Sequence, residues 1–241
     1  MKPIAIFQHT RVGAPGTITD ILQSLGQTVE IIPIMDGAPV PPTCAAYGGL
    51  VFMGGSMGVH DALPWIEQEI ALMREADARG LPLAGHCLGS QLLATALGGR
   101  AFKHRQAEIG WQSIQTGSDA VSREWWQEFA GQNILTFQWH QDTFDMPAGT
   151  AQIATAGHCD SQAFIAKDRH LLVQSHFEMT PELIHLSFEK NGHQLLKQFG
   201  LKNPSVSDPD DLLKSLDSRT ATMKSVLCRL YARWVKGISH T

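Results

Sequence analysis

Short unbroken apolar runs alternate with helically spaced ones through the first hundred residues of the chain. Ile4 to Gln8 has a buried-strand pattern ending in polar residues, Thr17 to Leu25 forms a helix closed by Gly26, and Val29 to Ile34 is the next strand. That β-α-β order predicts a parallel sheet with helices on its faces. Residues 36 to 46, rich in Pro and small side chains, read as a surface connection. Gly48 to Met53 gives a third strand, which stops at Gly54-Gly55-Ser56-Met57-Gly58. Leu63 to Arg79 then reads as a helix, with Pro64 near its start and Gly80 after its end. Leu81 to Ala84 is a fourth strand, and Leu88 to Leu97 a helix ended by Gly98-Gly99.

The second half is less regular. Arg100 to Gln115 is strand-like but carries His104, Arg105 and Glu108, and reads as an irregular hairpin. A helix around Arg123 to Phe129 precedes a strand from Asn133 to Trp139, which runs into His140-Gln141-Asp142 and the start of a polar loop. Two more strands cover Gln162 to Ala166 and Leu171 to Ser175, the latter ending in His176-Phe177-Glu178. From Pro181 onward the pattern is helical, Leu183 to Phe199 and Leu212 to Val235, with a turn-rich linker at Asn203 to Pro209. Leu216, Met223, Leu227, Leu230, Tyr231 and Trp234 recur at about helical spacing, so the last helix is expected to pack on the main domain.

Composition narrows the partners. The 241 residues suit one large domain, or one domain plus an appendage, and the hydrophobic share of 43% is ordinary for a globular chain. A formal charge of -4 with scattered Lys and Arg leaves no basic stripe, so nucleic acid and anionic membranes are not expected partners; small molecules or proteins are. No apolar run approaches the ~18 residues of a membrane span, and Met1 to Phe7 is too short for a signal peptide, so a cytoplasmic location is expected. Cys44, Cys87, Cys159 and Cys228 lie far apart with no C-x-x-C pair, which argues against a zinc site and a disulfide scaffold. Neither metal nor organic cofactor is expected.

The candidate chemistry starts at Gly85-His86-Cys87-Leu88-Gly89. Two glycines bracket the cysteine in a G-x-nucleophile-x-G spacing, where missing β-carbons let a sharp strand-to-helix turn push the middle side chain into the open. A cysteine there sits at a helix N-terminus, whose unpaired N–H groups favour the reactive thiolate. A buried core cysteine is the bland alternative. Gly54-Gly55 is either a tight turn or a pair of bare N–H groups brought up to a ligand, as an oxyanion hole requires. Three segments offer the His-x-acid spacing of a base with its orienter: His140-Gln141-Asp142, His158-Cys159-Asp160 and His176-Phe177-Glu178. His158 lies in an expected loop and reads as a surface histidine. His176 follows a buried strand and is the first candidate, with His140 second.

Gly85-His86-Cys87-Leu88-Gly89-Ser90-Gln91 resembles the nucleophile motif of class I glutamine amidotransferases, and Gln174-Ser175-His176-Phe177-Glu178 resembles their Q-x-H-P-E motif. The order, Cys first and His-x-Glu about ninety residues later, also matches. The resemblance covers roughly residues 1 to 180 and implies an α/β, flavodoxin-like three-layer fold with a mostly parallel central sheet plus C-terminal helices. It divides the chain into an amidotransferase domain at 1–190 and a helical extension at 191–241 packed on it. It further implies a Cys87-His176-Glu178 triad that hydrolyses the γ-amide of glutamine through a γ-glutamyl thioester. Gly54 and Gly55 fall on the family's oxyanion loop, where backbone N–H groups of Gly55 and Leu88 would hold the oxyanion. Gln91, His140 and Gln141 would contact substrate, which moves His140 from base to binding.

Two positions depart from the family pattern. Phe177 replaces the usual proline, which removes a fixed φ between His176 and Glu178. His86 stands where an aliphatic residue is more common, and reads as a packed histidine. No synthetase domain is expected in the chain, so it resembles free-standing members similar to the amidotransferase domain of GMP synthetase, whose ammonia goes to an unknown acceptor or a separate synthetase partner. A γ-glutamyl peptide hydrolase on the same triad is the alternative. A non-catalytic binding or redox-sensing module is a further one, which the intact His-x-Glu pair argues against.

Overall fold

A computed structural model describes residues 2–238, so Met1 and the last residues of the expected extension, 239–241, lie outside the described chain. The strands are β1 (Ile4–Gln8), β2 (Val29–Pro33), β3 (Gly49–Phe52), β4 (Leu83–His86), β5 (Arg100–Thr116), β6 (Asn133–Asp145), β7 (Ala151–Thr155), β8 (Ala163–Ala166) and β9 (His170–Val173). They form one nine-stranded sheet in the order β2-β1-β3-β4-β9-β8-β7-β5-β6. β2 through β9 in that order are parallel. From β9 outward to β6 every pair is antiparallel. The expected α/β fold with its parallel centre is what the chain adopts.

Strands of the parallel centre are apolar on both faces because helices cover both faces. In β1, Ile4 and Ile6 enter one core while Ala5 and Phe7 enter the other. Leu50 and Phe52 against Val51 in β3, and Leu172 against Leu171 and Val173 in β9, repeat that alternation. On one face lie α2 (Pro64–Ala78) and α3 (Leu88–Ala96); on the other, α1 (Thr17–Ser24), α4 (Ala120–Trp126) and the long α7 (Leu216–Trp234). α5 (Pro181–Gly200) starts on a Thr180 cap, with Pro181 in its first turn, and is followed by the short α6 (Pro209–Leu212). The expected helix from Leu212 therefore begins later, after Ser215. Trp234 of α7 packs so close to Gly49 that a β-carbon there would sit 2.8 Å from its ring.

The antiparallel half holds the differences from expectation. β5 and β6 form one long hairpin with a register shift between Lys103 and Glu108, so the irregularity is a bulge within a strand. β6 continues to Asp145, through the stretch expected to be a polar loop. Gln138, His140 and Thr143 are buried with polar partners, which leaves no apolar alternation to read. β7 has no counterpart in the sequence reading. No helix among the described residues is long and apolar enough to cross a membrane.

Candidate active site

β1, β3, β4 and β9 are neighbours and parallel, so their carboxyl ends meet at one edge. His9 follows β1, Gly54 follows β3, Cys87 follows β4 and His176 follows β9. Topology alone gathers these four residues from across the sequence.

The turn between β4 and α3 holds Cys87 at φ 50°, ψ -110°. An L-residue avoids that region unless its surroundings enforce it. Here they do. Cys87 N–H donates to the carbonyl of Val173 at 2.9 Å, and the Ser90 hydroxyl lies 2.7 Å from the carbonyl oxygens of both Gly85 and Val173. A β-carbon on Gly89 would fall 2.0 Å from the Phe52 carbonyl oxygen, and one on Gly85 would fall 2.6 Å from the backbone of Gly89 and Ser90. The two bracketing glycines are therefore demanded by close packing of strand, turn and helix.

His176 is fixed at both ends. Its N–H donates to the Phe137 carbonyl at 2.8 Å, and its Nδ1 lies 2.7 Å from Glu178 Oε1. The Glu178 carbonyl accepts from Thr17 N–H at 3.0 Å. Burial disfavours the imidazolium, but the charges of Glu178 and Cys87 outweigh it and hold His176 well above the ordinary imidazole value. Burial likewise opposes ionisation of Glu178, and is outweighed by His176 and then His86, which hold the carboxyl well below its usual range. Phe177 points away from this row into the core, fully buried and against Trp126 at a centroid distance of 6.0 Å. The backbone bonds on either side supply the rigidity that the missing proline would have given.

Gly54 faces both His176 and Cys87, since a β-carbon on it would lie 2.9 Å from His176 Cε1 and 3.5 Å from Cys87 Cβ. At Gly55 a β-carbon would meet Leu88 Cδ2 at 2.9 Å and His9 Cβ at 3.2 Å. Neither Gly55 N–H nor Leu88 N–H donates to a protein acceptor among the described residues. Leu88 opens α3, so its free N–H belongs to the unpaired first turn of a helix.

The cleft at this edge has a volume of about 470 Å³ and is lined by Gly54, Gly55, Cys87, Gln91, His140, Gln141 and His176 among others. Leu88 does not line it. His140 has no free ring nitrogen: Nδ1 lies 3.0 Å from the Asp142 carbonyl and Nε2 lies 3.0 Å from Glu108 Oε2. It is a wall of the cleft, which His176 and Cys87 also line. Gln91 is similarly engaged, with Nε2 bonded to the Asp142 carbonyl at 3.0 Å and to Gln174 Oε1 at 3.3 Å. His158 is half-buried and does not line the cleft. Sequence reasoning missed the opposite wall on α5, where Ser187, Asn191, Gln194 and Gln198 share a face; their three- and four-residue spacing was its only signal. It also missed His9, whose position directly after the first strand was the available clue. Among the described residues no group of three or more His, Cys, Asp or Glu is placed to hold a metal ion.

A family model described as glutamine amidotransferase class-I matches residues 15–201. The chain belongs to that family. A solved glutamine amido transferase from Methylobacillus flagellatus is 32% identical, covers 100% of this chain and 97% of its own, and superposes with a TM-score of 0.94. A glutamine amidotransferase from Thermotoga maritima is 26% identical, with 98% of each chain covered and a TM-score of 0.84. Among curated relatives, Gamma-glutamyl peptidase 4 of Arabidopsis thaliana is 24% identical over 73% of this chain and 72% of its own length. The glutamine-hydrolyzing GMP synthase of Listeria innocua is 30% identical over 64% of this chain, but the match spans only 27% of that synthase.

Proposed function

We propose that this chain hydrolyses the γ-amide of glutamine through a γ-glutamyl thioester on Cys87. The observation that carries the reading is the row Cys87, His176, Glu178 at the carboxyl edge of the sheet, with His176 Nδ1 2.7 Å from Glu178 and the His176 ring and Cys87 both against Gly54. The Cys87 thiolate attacks the amide carbon, a C–S bond forms, and the carbonyl electrons move onto oxygen. N–H groups of Gly55 and Leu88 receive that oxyanion; one such donor is worth roughly 3 kcal/mol of barrier. Imidazolium His176, oriented by Glu178, gives its proton to the amine as the C–N bond breaks and ammonia leaves. His176 then takes a proton from water, the hydroxide adds to the thioester, and glutamate departs as the thiolate returns. Gln91, His140 and Gln141 shape the pocket for the glutamyl group. The ammonia is released or handed to a separate acceptor enzyme.

The purified chain should liberate glutamate and ammonia from glutamine, and Cys87→Ala should abolish this. Equal inertness of wild type and variant on glutamine and γ-glutamyl peptides, with and without cell extract, would sink the proposal.

A second reading keeps the three residues and changes the amine that leaves. The extent of the cleft wall favours it. Besides the edge at Cys87 and His176, the cleft of about 470 Å³ is lined by α5 from Ser187 to Gln198, a span of about 16 Å at the usual helical rise, a wall long enough to contact a γ-glutamyl peptide. Similarity to a γ-glutamyl peptidase over most of that protein's length supports the same view. A higher kcat/KM on γ-glutamyl dipeptides than on glutamine decides for it; the reverse order decides against it.

A further inference from the structure

Glu178 is approached by two imidazoles. His176 Nδ1 lies 2.7 Å from Oε1, and His86 Nδ1 lies 3.4 Å from Oε2. The second distance is long for a hydrogen bond. Both of its atoms are buried, however, and neither has a hydrogen-bond partner among the described residues, so the two face each other with no competing hydrogen bond. On the far side of the ring, His86 Nε2 is 2.9 Å from the hydroxyl of Tyr231, and the two rings lie within 3° of parallel. His86, Glu178 and Tyr231 are all fully buried. Tyr231 belongs to α7 and lies beyond residues 15–201, the stretch the family model matches. One turn further along α7, Trp234 Nε1 donates to the Leu83 carbonyl at 3.0 Å. The helix thus grips β4 at Leu83 and at His86, the residue beside Cys87.

The hydrogen positions follow from the partners. Burial and the Glu178 charge push the Tyr231 hydroxyl well above the usual phenol value, so it keeps its proton. An O–H given to His86 Nε2 leaves the ring proton on Nδ1, facing the carboxylate. Oε2 is then occupied from behind, and Oε1 is left for His176. We propose that Tyr231 and His86 are positioning residues for Glu178, through which α7 orients the base of the thioester chemistry. The proposal rests on the hydrolytic role assigned above to Cys87, His176 and Glu178.

The test compares Tyr231→Phe, His86→Asn and His86→Leu with wild type in two assays. One is turnover of whichever of glutamine or a γ-glutamyl peptide the wild type accepts. The other is the rate of Cys87 alkylation by iodoacetamide against pH, which needs no substrate. Tyr231→Phe removes one oxygen and keeps the ring, so it is the deciding variant, and thermal unfolding verifies that it folds. Loss of one oriented hydrogen bond predicts a kcat about five- to thirty-fold lower at unchanged KM. It also predicts an acid limb of alkylation moved to higher pH, because His176 is less firmly paired with its carboxylate. His86→Asn, whose amide can place a donor near the Nδ1 position, should recover most of both signals, and His86→Leu should not. Wild-type kcat and alkylation profiles in Tyr231→Phe and His86→Leu overturn the proposal, as does equal impairment by Asn and Leu at position 86. If the wild type turns over neither substrate, the hydrolytic reading fails by itself, and the alkylation profiles still decide whether α7 orients His176.

Discussion

His9 donates through Nδ1 to the carbonyl oxygen of Met53 at 2.9 Å, the last residue before the Gly54-Gly55 turn. Its Nε2 lies 3.0 Å from both carboxylate oxygens of Glu69 on α2, and both side chains are fully buried. With Nδ1–H committed to Met53, the contact to Glu69 requires one further proton shared between ring and carboxyl. Burial drives the Glu69 carboxyl up, and His9 opposes that. Glu69→Ala leaves Nε2 facing a cavity. Breaking a buried pair of this kind costs roughly 3–5 kcal/mol, and urea unfolding should show a loss of that order. Glu69→Gln keeps the volume and should lose less. A variant pair within experimental error of wild type contradicts the anchoring role.

Gly54→Ala is expected to separate activity from stability. The new methyl would press on His176 Cε1 from 2.9 Å and reach ordinary contact with Cys87. Overpacking of this size costs roughly 1–3 kcal/mol, so the chain should still fold. A displaced base is worth about a hundredfold in rate. Wild-type kcat in a folded Gly54→Ala would show that this turn does not confine the imidazole.

Phe177 should prove a stability residue. Phe177→Ala empties a fully buried ring site beside Trp126, at a cost of roughly 3–5 kcal/mol. Phe177→Pro loses the same ring and regains a restricted φ. Because His176 N–H and the Glu178 carbonyl are already bonded to Phe137 and Thr17, proline should not raise kcat. Denaturant midpoints and kcat of the two variants check both statements, and a faster Phe177→Pro would refute the second.

Much of this edge was legible in the sequence because each piece is local. Ile4 to Gly58 reads as strand, helix, strand, strand and glycine turn in order, and Gly85 to Gly89 marks the elbow. His176 and Glu178 are two residues apart after a buried strand, so a short pattern reveals them. What could not be read depends on long-range pairing. His9 meets Glu69 across α2, His86 meets Tyr231 from the far end of the chain, and His140 is spent on Glu108 of the neighbouring strand. β6 was cut short at Trp139 because Gln138, His140 and Thr143 are buried with polar partners, and burial of that sort leaves no hydrophobic trace. The packed-histidine reading of His86 had its burial right and missed the carboxylate it faces.

Acid should weaken the chain through His170. Its Nδ1 accepts from Leu83 N–H at 3.2 Å, so the ring proton sits on Nε2, 3.0 Å from Asp77 Oδ1. Burial pulls this imidazole down to about 4 from its ordinary 6.5, and a second proton would sever the bond to β4. Between those values the unfolded chain is protonated at this site and the folded one is not. Acid therefore favours unfolding as pH falls from 6.5 to about 4. The difference corresponds to about 3 kcal/mol. His170→Gln should be less stable at neutral pH yet lose less on acidification. Parallel pH–stability curves for the two chains would rule this out.

With Cys87 as the proposed nucleophile, its positive φ sets foldability against turnover. Glycine is the residue its backbone angles suit, and Cys87→Gly should relieve about 1 kcal/mol of strain while removing the sulfur. A library of this chain screened for expression yield or heat resistance would then drift toward inert members at position 87. Only a screen that demands product from every survivor would keep the cysteine.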